Sequence, residues 1–131
     1  LLPLLNEGNR EKSASAAAVA ILAFDTEFNE FLPEHFPQIP NARDFFQKPE
    51  KRLASAREIA ILQAGYFILA ARGVGLDAGP MAGFDHAGVD SEFFAGSTWR
   101  SLYVVNIGHT DSEGQRPRNP RLSAERAIEW S

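Results

Sequence analysis

Two unbroken apolar runs and one long helical pattern organise the chain. The first run, Ala16-Ala17-Ala18-Val19-Ala20-Ile21-Leu22-Ala23-Phe24, is closed by Asp25 and follows the polar, lysine-containing stretch from Asn6 to Ser15. A short apolar run between polar boundaries predicts a buried central strand, although the alanines also suit a helix. The second run, Leu102-Tyr103-Val104-Val105-Asn106-Ile107, ends at Gly108 and predicts another buried strand. Between them, Leu53 to Arg72 places Ile59, Leu62, Tyr66, Leu69 and Ala70 at three- and four-residue steps, with mostly apolar or small residues on the other faces. This pattern predicts a long, well-buried helix. Gly73 and Gly75 end it, because a left-handed cap costs least without a Cβ.

The remaining segments read as connections. Asp25 to Lys51 carries Pro33, Pro37, Pro40 and Pro49 among Phe28, Phe31, Phe36, Phe45 and Phe46, which predicts a loop with short helices and a cover over the aromatics. Leu76 to Phe84 reads as a glycine- and proline-rich loop. Asp85 is placed to cap a short helix through about Phe94. From Thr110 the tail is polar and arginine-rich, with a final short helix near Ser123 and Glu125.

Length and composition narrow the function classes. A chain of 131 residues, 44% hydrophobic and 23% charged, suits one globular domain. A net charge of -4 gives no general attraction to nucleic acid or anionic lipid. Without cysteine there is no disulfide, thiolate metal site or cysteine nucleophile. The longest apolar run, Ala16 to Phe24, is half a membrane span, and Leu1 to Leu5 lacks the form of a secretory signal, so a soluble cytoplasmic protein is expected. The chain opens on Leu1, without methionine, in what reads as the middle of a helix, so processing or truncation is expected.

Several motifs admit a chemical and a structural reading. Gly73-Val74-Gly75-Leu76-Asp77-Ala78 satisfies the G-x-G-x-x-A dinucleotide pattern, but it follows a helix instead of opening one, so capping is the better account. His35, His86 and His109 stand apart, and no serine lies in a G-x-S-x-G elbow. Asn9 and Lys12 share one face of a helix if the segment is helical, offering an amide and an ammonium to an imide-like ring edge that becomes anionic on reduction. The same letters also suit a solvated helix end. Gly79-Pro80-Met81-Ala82-Gly83-Phe84 can join two helices, or can let backbone N–H groups approach a planar ligand. Arg116-Pro117-Arg118-Asn119-Pro120-Arg121 is either a solvated tail or a set of arginine forks suited to phosphate.

In order and content, these motifs resemble the FMN-dependent nitroreductase family, in particular its malonic semialdehyde reductase branch. The likeness runs through Gly73 to Asp85, Val89-Asp90-Ser91-Glu92-Phe93-Phe94, Asn106-Ile107-Gly108 and Asn119-Pro120-Arg121-Leu122-Ser123. It implies an α+β fold, a mixed β-sheet flanked by helices, of which this single domain is the C-terminal two-thirds. The family's N-terminal Arg-x-Ser or Thr-x-Arg phosphate motif and its Ser-x-x-Asn segment have no counterpart here. Residue by residue, the resemblance implies that Asn9 and Lys12 meet the pyrimidine edge of FMN. Pro80, Ala82 and Gly83 would lie beside the isoalloxazine, and Arg116 with Arg118, or Arg118 with Arg121, would reach its phosphate. No side chain is implied as catalytic; the flavin carries the chemistry and Lys12 acts electrostatically. The family further implies a homodimer, with the long helix in its core, and ping-pong transfer of two electrons from NAD(P)H to a small aldehyde acid, a nitroaromatic or a quinone. The alternative is a non-catalytic flavin-binding or dimerisation module of the same fold.

Overall fold

The computed structural model describes residues 1–111 and 117–130. A short 3-10 turn, Leu2–Leu4, leads into α1 (Glu7–Ala14) and β1 (Ala18–Asp25). The proline-rich segment forms 3-10 turns at Phe28–Phe31 and Ala42–Phe46 around α2 (Leu32–His35). Then follow α3 (Pro49–Gly73), β2 (Asp77–Met81), α4 (His86–Phe93), β3 (Trp99–Gly108) and α5 (Ala124–Ala127). The N-terminal leucines are therefore not the middle of a helix: Leu5 is a buried core residue in an isolated bridge to Phe84.

The α+β class holds, with the described strands in the order β1-β3-β2 and both pairings antiparallel. Two expectations change with this topology. The run at Ala16 to Phe24 does form a strand, but β1 is an edge of the described sheet and mostly half-buried; the central strand is β3. The stretch read as a loop at Leu76 to Phe84 contains β2, which pairs Asp77 to Met81 with Gly108 to Val104. Pro80 has no N–H to give a ladder, and an edge strand is where a sheet admits it.

Pairing partners share a face, so Val19, Ile21, Val104, Asn106, Gly79 and Met81 point to one side. On that side Met81 and Val104 join Leu5, Phe84 and Val89 in the core. A bulge in β3 shifts the register between Leu22 and Ala23, leaving Leu102 without a partner and turning Ser101 to this same face. There Ser101 N–H donates to the Asp90 carboxylate at 2.7 Å, and its hydroxyl lies 3.1 Å from His86 Nδ1. Asp85 caps α4 as expected, accepting from Gly88 N–H at 3.0 Å. Far from this core, the Ser123 hydroxyl and a backbone hydrogen bond hold the Glu125 carboxyl below the usual carboxylate range.

The opposite face carries α3, which contacts all three strands. It ends at Gly73, and Gly75, at φ +87°, supplies the left-handed residue of the turn. Its predicted burial is not observed. The buried residues are Ala56, Ala64 and Ala71, a small-residue stripe that brings the helix close to the sheet. The large apolar residues point away, with Leu62, Tyr66 and Leu69 exposed at 65%, 68% and 67%. The sequence is apolar on nearly every face, so periodicity could not tell which face meets the sheet. By length and composition α3 is also apolar enough to cross a membrane.

Because the Asp85 carboxylate satisfies a helix N-terminal donor, Asp85→Ala should destabilise the fold by about 1 kcal/mol, and Asp85→Asn by much less. Urea denaturation midpoints of the variants check this.

Candidate functional site

Helix α1, Glu-Gly-Asn-Arg-Glu-Lys-Ser-Ala, has no large apolar side chain, and eight residues are too few for a stable isolated helix. Polar links hold it instead. Asn9 Nδ2 donates to the Gly83 carbonyl at 2.9 Å, the Ser13 hydroxyl lies 3.8 Å from Met81 Sδ, and Asn106 Nδ2 donates to the Lys12 carbonyl at 3.1 Å. Asn6 N–H adds a second donor to Gly83 O at 3.0 Å. Before the helix, Arg10 Nε donates to Leu5 O at 2.9 Å and fixes the entering turn.

The structure thus brings Asn9 and Lys12 of α1 together with Pro80, Ala82 and Gly83 of the β2 edge. Asn9 has a job beyond the one expected: one hydrogen of its amide is given to Gly83 O, and its oxygen has no partner among the described residues. A Cβ on Gly83 would stand 2.9 Å from Asn6 Nδ2 and 3.1 Å from Asn9 Nδ2, so a side chain there would have to displace these two amide groups. Lys12 is exposed and forms no ion pair among the described residues. Among those residues no acceptor takes the N–H of Ala82 or of Gly83. Two successive free amides, next to a helix that carries an unpaired lysine, suit a ligand that carries or gains negative charge.

Beside them, Pro80, Met81, Ala82 and Tyr103 face Ile61, Ala64, Gly65 and Ile68 of α3 across a cleft of about 450 Å³. That size and apolar lining suit a planar organic ligand. A second cleft, about 350 Å³ and lined by Ile21, Ala23, Phe24, Asp25, Phe94 and Trp99, contains none of the candidate residues.

Two of the three candidate arginines lie among the described residues. Arg116 lies outside the described residues. Arg118 is exposed, and Arg121 donates to the carbonyls of Asn119 and Pro120 in its own tail. Sequence reasoning missed Ser13 and Asn106 as anchors of α1. Asn106 stood only inside the family likeness, as the end of a strand, because a contact across 94 positions leaves no local pattern.

No family model matches the chain. It is 54% identical over 132 residues to a protein of Streptomyces coelicolor, and 51% identical over 128 residues to one of Leptothrix cholodnii. Both are named as NADH dehydrogenase/NAD(P)H nitroreductase. The alignments cover 100% and 97% of this chain, which spans 65% of each relative's length. Among solved structures, a nitroreductase family protein of Streptococcus pneumoniae superposes with a TM-score of 0.83 at 20% identity, covering 100% of this chain and 72% of its own. A protein of Exiguobacterium sibiricum, described as a nitroreductase in complex with FMN, superposes at 0.81 with 17% identity, covering 100% and 70%.

The tight seat of Gly83 gives a direct check on this geometry. Gly83→Ala should destabilise by about 1–2 kcal/mol through loss of the Asn9 hydrogen bond, and less in an Asn9→Ala background where the bond is already gone. A double-mutant cycle by chemical denaturation reads that coupling. The chain carries a nitroreductase-like fold, and the names of its sequence relatives together with its structural neighbours support the nitroreductase family.

Proposed function

We propose that this chain is the larger, C-terminal part of an FMN-dependent NAD(P)H oxidoreductase. The observation that carries the reading is the docking of α1, which bears Asn9 and Lys12, on the Gly83 carbonyl where the chain leaves β2, next to Pro80 and Ala82 of the α3 cleft. FMN, when bound, supplies two-electron transfer from NAD(P)H to a second substrate in ping-pong order. The chain's own part is to bind, orient and charge-match. Lys12 favours negative charge at the ring edge, Asn9 offers its free amide oxygen to a ring N–H, and Ala82 and Gly83 offer backbone donors that no side chain obstructs. Pro80 forms part of the apolar wall. Arg118 with either Arg116 or Arg121 serves the phosphate, because arginine forks match its oxygens. The acceptor proposed is a short aldehyde acid of the malonic semialdehyde kind, with nitroaromatics and quinones as alternatives, in a cytoplasmic protein.

The exposed face of α3 supports a homodimer. Leu62, Tyr66 and Leu69 present an apolar stripe that water does not favour, while the alanine stripe behind them is already packed on the sheet. A helix held by a sheet along one side is better matched to a second protein surface than to lipid on all sides. In sedimentation the intact protein should run as a dimer, and Leu62→Glu with Leu69→Glu should run as a monomer.

The function is tested by adding FMN to the intact apoprotein and following NAD(P)H oxidation with each acceptor. Saturable flavin binding and acceptor-dependent oxidation are expected. A preparation that binds flavin without turnover would favour the non-catalytic module, and one that binds none would overturn the reading. Lys12→Ala should slow reduction of the bound flavin by about tenfold, the value of one hydrogen bond to a charged group, while leaving the melting temperature unchanged. Stopped-flow absorbance of the reductive half-reaction measures it.

A further inference from the structure

We propose that Asn106 is a positioning residue: it sets the seat of the last turn of α1, and through it Lys12, against the sheet. The inference rests on the flavin site above.

Asn106 lies on the central strand β3, opposite Val19 of β1 and Gly79 of β2. Its side chain shares the face occupied by α1, and Gly79 beside it contributes no side chain. Its Nδ2 reaches the Lys12 carbonyl at 3.1 Å. Only the NH2 end of the amide can face a carbonyl, so this contact fixes which way the amide points. The other end, Oδ1, is then buried with no partner.

That arrangement is a poor bargain for stability alone. An unpaired buried carbonyl costs more than an exposed hydrogen bond returns. Nor does the Lys12 carbonyl depend on Asn106, since the Ser15 hydroxyl also donates to it at 3.3 Å. A leucine of similar size would bury no orphaned oxygen. What leucine cannot do is hold a polar helix in one rotation. Asn9 pins the first turn of α1 to Gly83 and Ser13 packs on Met81, and the Asn106 contact ties the backbone of Lys12 to the sheet. Without it the turn bearing the ammonium is held on the sheet only by the long contact of Ser13 with the Met81 sulfur.

The test compares the intact wild-type protein with Asn106→Leu and Asn106→Asp. Three quantities are measured: thermal midpoint of the apoprotein, FMN dissociation constant by quenching of flavin fluorescence, and two-electron potential of the bound FMN. Asn106→Leu should melt at or above the wild-type temperature, yet bind FMN about tenfold more weakly, with the potential moved to a more negative value. Asn106→Asp, whose carboxylate faces the Lys12 carbonyl, should loosen FMN at least as much. If Asn106→Leu melts well below wild type or fails to fold, the amide is structural and the inference is overturned. If Asn106→Leu keeps wild-type affinity and potential, the inference is overturned while the flavin site stands. If wild type itself binds no FMN, the proposed function falls and the inference with it.

Discussion

The attachment of α1 to the β2–β3 ladder is the constraint on which the rest of this structure depends. The helix cannot hold itself by burial, because it has almost nothing apolar to bury. Its position comes from polar links to the backbone of Gly83, the sulfur of Met81 and the side chain of Asn106. Hydrogen bonds are directional where apolar contact is not, so a helix held this way has one seat and one rotation. The same links bring Lys12, near the N-terminal end of the chain, to an edge strand some seventy residues away.

The sheet explains why that edge is free to bind. The central strand β3 is saturated on both sides, by β1 and by β2, whereas the chain leaves β2 at Ala82 and Gly83 with N–H groups that no acceptor takes among the described residues. Pro80 and Gly79 weaken the ladder just before this exit. On the far face the alanine stripe of α3 lets the helix approach closely and leaves a cleft beside Ala82. One helix held by polar links and another held by small residues thus frame the two sides of the same strand end.

Much of this was legible in the letters, and the misses share a cause. The cap at Asp85, the end of α3 at Gly73 and Gly75, and strand β3 follow from local rules about side-chain acceptors, left-handed residues and apolar runs. Strand β2 was not legible, since Asp-Ala-Gly-Pro-Met has weak intrinsic strand preference and becomes a strand only by pairing with β3. The edge position of β1 and the outward face of α3 depend on what packs where, which an all-round apolar pattern does not encode. In the site, Asn9 docks on Gly83, while Ser13 and Asn106 emerge only from distances. The arginine tail is different in kind: its composition suits phosphate, Arg118 is exposed, and Arg121 bonds to carbonyls of its own tail.

The most direct measurement of the central claim is a crystal structure of the intact protein grown with FMN. The account predicts α1 in its present seat, the Lys12 ammonium and the Asn9 amide oxygen at one edge of the flavin ring, and the Ala82 or Gly83 N–H donating to the ring. A flavin bound elsewhere, or an α1 that leaves Gly83 and Asn106 to accommodate it, would contradict the account.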